Sequence, residues 1–267
     1  MPPQYMQGHT EAGMSGHATR NASNTCAYFT ALLKPTYTIL DVGCGPGSIT
    51  ATLALLVPQG SIIGTDFAQP ALDAARLQAD LPENCTFQQA DVYGLDFPDD
   101  SFDVVHTSQV LIHLSDPVSA LREMRRVCRP GGFVASREAD LESVIIHADE
   151  PDLLRVYKRC YIEGAKSVGA NPNAGRLLIQ WALSAGFGVA KIDYTTDTMT
   201  YAGEEREFWG HRNAKQVETD ETLRQRCLQN GITDEKGLVA LRDGWLAFAA
   251  NPASVFAMIC GQVVCFK

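Results

Sequence analysis

No stretch of this chain stays apolar for long enough to cross a membrane as a helix. The N-terminus, Met-Pro-Pro-Gln-Tyr, has neither the basic segment nor the apolar core of a secretory leader. Basic residues are outnumbered: 22 Lys and Arg against 31 Asp and Glu leave a net charge of −9, which argues against non-specific binding to nucleic acid. None of the eight cysteines is spaced as Cys-x-x-Cys, and no Cys/His cluster suggests a metal. Internal repeats, low-complexity tracts and disordered linkers are missing as well. These absences favour a cytoplasmic protein with reduced thiols, no membrane span and no nucleic-acid partner. The 267 residues, 45% of them hydrophobic, are enough for one sizeable core.

What is there is a strong alternation of strand and helix. Tyr37–Leu40 is β-rich and leads into "LDVGCGPGS" (40–48), with glycines at 43, 45 and 47. An Ala- and Leu-rich helix follows, from Ile49 to Val57, and stops at Pro58. Ser61–Asp66 reads as a second strand ending in an acid, and Gln69-Pro70 opens a helix running to about Asp80. Cys85–Gln89 and Phe102–Thr107 read as the third and fourth strands. Asp116-Pro117 is a capping acid with proline at the first helical position, and Val118, Leu121, Met124 and Cys128 then share one helical face. Pro130-Gly131-Gly132 should break that helix, leaving Phe133–Arg137 as a fifth strand. Such alternation means a Rossmann-like, doubly wound α/β sheet, mostly parallel and covered on both faces.

The second half is less regular. Helices are expected from Pro151 to about Val168 and from Gly175 to Ala185, then a long strand from Val189 to Tyr201. Three helices starting near Glu204, Asp220 and Asp234 precede a last strand ending at Phe266. The two late strands read as an antiparallel pair at the sheet edge, with the helices of 202–251 inserted between them as a cap. The organisation expected is a single domain: an N-terminal lid segment over 1–35, a ligand-binding core over 36–140, and that cap.

Glycine-rich turns between a strand and a helix bring ligands against bare backbone and a helix N-terminus. A nicotinamide-binding turn wants G-x-G-x-x-G, whereas here the spacing is Gly43-x-Gly45-x-Gly47 with Asp41 just before it. An acid at that point is awkward beside a pyrophosphate and useful beside a cationic ligand. Asp66, about twenty residues on, stands where a carboxylate can accept both hydroxyls of a ribose. Asp91, after the third strand, stands where one can accept an adenine amino proton.

Taken in order, "ILDVGCGPG" (39–47), "GTDF" (64–67), "QQADVYGLDFPDDSFDVV" (88–105), "HTSQVLIHLSDP" (106–117) and "LREMRRVCRPGG" (121–132) resemble the class I S-adenosylmethionine-dependent methyltransferases. Among these the resemblance is to the UbiE/COQ5-like branch, also called methyltransferase type 11, and it covers about residues 30 to 140. It implies that Gly43 and Gly45 bring backbone against the methionyl part of S-adenosyl-L-methionine while Asp41 orients that loop. By the same resemblance Asp66 binds the ribose, Phe67 lies against the adenine, and Asp91 with the backbone of Val92 reads the adenine edge. Thr107, Ser108 and Gln109 would line the floor beneath the sulfonium.

Methyl transfer needs positioning and the exclusion of water more than covalent help. A base assists where the acceptor is a hydroxyl or an acidic carbon. His17, His113 and Glu138 are the candidates, His106 reads as a core residue, and Arg20 could meet the methionyl carboxylate or an acidic substrate. Trp181, Tyr201, Phe208, Trp209, Trp245 and Phe248 could line an acceptor pocket or form the cap's own core. The expected function is methylation of a small, lipophilic acceptor on oxygen or carbon by a monomer or homodimer. One alternative is a protein of this fold that binds the cofactor and promotes a rearrangement without methyl transfer. A nicotinamide-dependent oxidoreductase and a pure interaction module are the more distant rivals.

Overall fold

The computed structural model describes Gly16, residues 19–149 and residues 152–267. Its eight strands are β1 Thr38–Val42, β2 Ser61–Asp66, β3 Cys85–Gln89, β4 Phe102–Ser108, β5 Cys128–Ala139, β6 Ile145–His147, β7 Ile192–Tyr201 and β8 Val255–Phe266. They form one sheet in which β3-β2-β1-β4-β5 are parallel neighbours and β8 runs antiparallel beside β5. β7 pairs along β8 in antiparallel register, from Ile192↔Cys265 to Tyr201↔Phe256, which is the late antiparallel pair expected from the sequence. The short β6 pairs with the start of β8 at Ile145↔Ala257.

The central strands are apolar without alternation because both sheet faces are covered. On one face the short helices α1 (Ala22–Thr25) and α2 (Ala27–Thr30) and the longer α3 (Ser48–Ala54) pack Cys26, Phe29 and Leu53 on Ile39, Val104 and Phe133. The helix α4 (Gln69–Arg76) follows β2 with proline in its first turn. On the opposite face α5 (Pro117–Val127) buries Leu121, Met124 and Val127 in the larger core. Its start is fixed as the sequence suggests: Ser119 N donates to Asp116 Oδ1 at 3.0 Å.

The second half builds a helical layer above the strand ends. The helix α6 (Leu153–Lys158) passes through a π-helical turn, Arg159–Glu163, into a last turn at Gly164–Lys166. After α7 (Ala174–Ser184), three helices lie between β7 and β8 in the chain: α8 Glu205–Thr219, α9 Glu221–Gln229 and α10 Glu235–Ala250. Asp220 and Asp234 cap α9 and α10, accepting from Leu223 N and Gly237 N. Gly210 of α8 lets that helix approach α10 closely, since a Cβ there would stand 2.6 Å from Ala249 Cβ. Trp245 and Phe248 are fully buried inside this layer.

Several boundaries differ from the sequence reading: β1 runs Thr38–Val42 where Tyr37–Leu40 was expected, and α4 ends at Arg76, short of Asp80. β5 starts at Cys128, so Cys128 leaves the helix and the Pro-Gly-Gly stretch lies within the strand. An irregular register between Phe102↔Cys128 and Val104↔Phe133 absorbs the extra residues. Val189–Lys191 forms a 3-10 turn before β7 rather than strand. β6 went unread because three residues are too short for a periodic signal.

Candidate active site

The carboxyl ends of β1 to β4 meet at one edge of the sheet, set by the register Val42↔Thr65, Val42↔Thr107 and Asp66↔Gln89. The glycine turn rises from β1 at that edge. Gly43 has φ +70° and a Cβ there would meet Val110 Cγ2 at 2.3 Å, so this glycine lets the turn lie against the loop after β4. Gly45 has φ +55° and faces open space, with nothing within 4 Å of where a Cβ would project. Its amide donates to Asp66 Oδ2 at 2.9 Å, while Asp66 Oδ1 accepts from Ala68 N at 2.9 Å. Asp66 thus ties the turn to the end of β2 and leaves lone pairs on both oxygens for a ligand. Beside it Phe67 is 51% exposed, a large aromatic ring left facing solvent. Asp91 is also exposed, with Oδ1 accepting from Tyr93 N at 3.0 Å, and Val92 is half-buried next to it.

Asp41 lies inside. It is the register partner of His106 on the neighbouring parallel strand, so the two side chains project to the same face. His106 Nδ1 sits 2.7 Å from Asp41 Oδ1, Thr50 Oγ1 donates to Asp41 Oδ2 at 2.6 Å, and Cys26 Sγ lies 3.5 Å from His106 Nε2. Burial opposes a charge on His106. The sulfur of Cys26 and the carboxylate of Asp41 against its two nitrogens outweigh that and push its pKa up to about 10. The network ties α1–α2 to β1, β4 and the first turn of α3, so Asp41 acts on the glycine turn through the fold. Thr107 is equally inward, its hydroxyl donating to Val42 O at 3.0 Å.

At the end of β4, Ser108 Oγ and Gln109 Nε2 are buried with no hydrogen-bond partner among the described residues. Gln109 has φ +55°, its amide N–H donates to Arg137 O at 2.8 Å, and its Oε1 accepts from Arg20 at 2.7 Å. Arg20, from the segment before α1, and Gln109 both line a cavity of about 80 Å³ beneath the helical layer. Tyr157 of α6, Tyr161 of the π-helical turn after it, Met199 and Tyr201 of β7, and Trp209 of α8 supply much of its apolar wall. Tyr201 is stacked between Trp209 and Phe256, at centroid distances of 4.1 and 4.9 Å. Of the aromatic residues singled out in the sequence, Tyr201 and Trp209 line the cavity. Trp181, Trp245 and Phe248 are core, and Phe208 is exposed.

The base candidates fall in different places. His113 lines the cavity, and burial, with Arg20 and Arg226 nearby, pushes its pKa down to about 3. It is a neutral imidazole at physiological pH. Glu138 lies within β5 and is fully buried. Its Oε1 accepts from Val110 N and Leu111 N and its Oε2 from Ile112 N, at 3.0–3.1 Å. Burial still pushes its pKa up to about 7. Glu138 does not pair with its neighbour Arg137, because adjacent residues on a strand point to opposite faces. Arg137 pairs instead with Asp197 of β7. His17 lies outside the described residues.

Sequence reasoning missed Tyr157, Tyr161, Met199 and Arg212 on the cavity wall. The two tyrosines stand four apart and stack at 4.5 Å, a helical spacing visible in the sequence but not separable there from core packing. Arg212 reaches the cavity from α8 with Gly16 packed against its guanidinium.

The model of a methyltransferase domain family matches residues 40–136, the segment carrying the glycine turn and the ends of β2, β3 and β4. An uncharacterised methyltransferase of Schizosaccharomyces pombe is 35% identical over 259 residues, covering 93% of this chain and 91% of the relative. A probable methyltransferase of Aspergillus luteorubrus is 29% identical over 249 residues, covering 87% and 86%. Among solved structures, Haemonchus contortus phosphoethanolamine N-methyltransferase 2 in complex with S-adenosyl-L-methionine superposes with a TM-score of 0.59 at 18% identity, covering 97% of this chain and 58% of that one. That likeness carries the fold, while the full-length relative carries the kinship: the chain belongs to the class I S-adenosylmethionine-dependent methyltransferases.

Proposed function

We propose that this enzyme methylates a small, lipophilic acceptor on oxygen or carbon, and that the acceptor lies in the cavity under the helical layer. The observation that carries the reading is the lining. Aromatic rings and methionines make up much of the lining, Gln109, Asn213, Gln216 and neutral His113 add polar groups, and the described charged lining residues are the cations Arg20 and Arg212, with no carboxylate. S-adenosyl-L-methionine is the enzyme's cofactor, and the residues at the strand ends fit it. The open face of Gly45 accepts a molecule lying against backbone, Asp66 has lone pairs for ribose hydroxyls, and exposed Phe67 offers a ring to the adenine. Asp91 with Val92 would read the adenine edge, and Ser108 would face the methionyl part. The order of motifs from Leu40 to Ser136 supports placing the chain near the UbiE/COQ5-like branch, while the helices between β7 and β8 set the acceptor.

When bound, the cofactor supplies an electrophilic methyl group on a sulfonium. The protein's part is to hold the acceptor in line and dry. A histidine kept neutral in the cavity can accept a hydrogen bond, but a pKa near 3 makes it a poor holder of a proton. Glu138 spends its oxygens on the loop 110–112, which makes it a positioning residue for Gln109 and His113. The acceptors best served are therefore those that ionise readily by themselves, such as phenols and enolisable dicarbonyls.

The test is release of S-adenosylhomocysteine on incubation with S-adenosylmethionine and a panel of small phenols, β-dicarbonyls and primary amines. Turnover is expected with a phenol or a dicarbonyl. It should be absent in Gly45→Val, whose side chain would fill the open face. Turnover with amines alone would refute the acceptor assignment.

A further inference from the structure

The Gln109 carboxamide is fixed from two sides. Its backbone is pinned in the left-handed region, with the amide N–H on Arg137 O, and its Oε1 accepts from the Arg20 guanidinium at 2.7 Å. A guanidinium only donates, so this contact settles which end of the amide is oxygen and turns the NH₂ group the other way. That nitrogen is buried with no acceptor among the described residues, on a residue that lines the cavity. An unmet buried donor is costly, and a ligand oxygen placed against it removes the penalty. Much of the surrounding wall is aromatic, its described charged groups are the guanidiniums of Arg20 and Arg212, and it holds no described carboxylate that could accept this hydrogen bond.

We infer that Gln109 Nε2 is the specificity donor of the acceptor site, hydrogen-bonded to a carbonyl or oxyanion oxygen on an aromatic or otherwise apolar acceptor. Arg20 is its positioning residue. The inference rests on the proposed methyl transfer in this cavity and moves Gln109 from the cofactor, where the family resemblance put it, to the acceptor. A site with a fixed donor favours molecules bearing the matching oxygen over isosteres that lack it.

The experiment uses acetophenone, whose carbonyl only accepts, against ethylbenzene, which has nearly the same shape. Binding of each to the full chain saturated with S-adenosylhomocysteine is measured by ligand-observed NMR. The wild type should prefer acetophenone by about fivefold, the worth of one neutral hydrogen bond. Gln109→Glu keeps the contact to Arg20 and loses the donor, so the preference should vanish. Gln109→Met, neutral and of similar length, should lose it too. Calorimetry with S-adenosylhomocysteine separates the sources of failure. Unchanged affinity in the variants with a lost preference supports the inference. A retained preference, no acetophenone binding to the wild type, or weakened S-adenosylhomocysteine binding in both variants overturns it. Failure of the wild type to bind S-adenosylhomocysteine would instead sink the methyl-transfer reading beneath it.

Discussion

Asp41 shows how a residue can sit in the most telling motif of a sequence and yet point its side chain into the core. Its carboxylate is held between His106 and Thr50, and the charge on His106 is sustained by that contact and by Cys26. Because the pKa of His106 is raised when folded, its stabilisation is fully present below the ordinary value near 6.5. It is lost as pH rises through about 10. Asp41→Asn should cost roughly 3 kcal/mol at pH 6, as for breaking a buried pair. Urea unfolding at pH 6, 8 and 10 checks this: the gap between wild type and variant should shrink as pH rises. A gap independent of pH would mean that the pair is neutral throughout. The sequence could name Asp41 and His106 but not join them, because their meeting depends on strand register, which no local pattern shows. Gly43 and Gly45 are adjacent in motif yet divide in role, one against Val110 and the other against open space.

At the level of elements, β2 and β3 were legible to the residue, whereas β1 and β4 run on to Val42 and Ser108, past the ends read from the sequence. β2 and β3 start and stop where turn residues and an acid punctuate an apolar run. The helix starts at Asp116, Asp220 and Asp234 were legible too, since a capping side chain is a local device. The second-half helices could be found but not placed, because their apolar faces say only that a partner exists. What places them is contact: Gly210 on Ala249, Leu153 against Gly244, and Tyr157 edge-on to Trp245. The segment before α2 joins the same site through Arg20 on Gln109 and Gly16 on Arg212, and is anchored to α3 by Ala22 N donating to Thr52 Oγ1. We propose that this segment is a lid that closes on bound cofactor. Lids come from the less stable parts of a fold. Amide exchange over residues 19–30 should therefore slow on adding S-adenosylhomocysteine, and by more than in β1 or β4. Equal protection in both places, or no change in the segment, would leave it a fixed wall.

For the molecule as a whole, the sheet and the helical layer divide the labour. The parallel strands end at the glycine turn and Asp66, the edge proposed for the cofactor, and the segments α6, β7 and α8 supply much of the wall of the cavity. That division explains why the first 140 residues declare the cofactor while the acceptor remains a matter of cavity chemistry. The central claim is that the methyl donor opens onto the cavity bounded by Gln109, His113, Tyr161 and Trp209. A crystal structure with S-adenosylhomocysteine tests it most directly. The account predicts the ribose on Asp66, backbone of Gly45 against the ligand, and the sulfur facing into that cavity. A sulfur turned away from Gln109 and His113, or a ligand bound elsewhere than on the glycine turn, would contradict it.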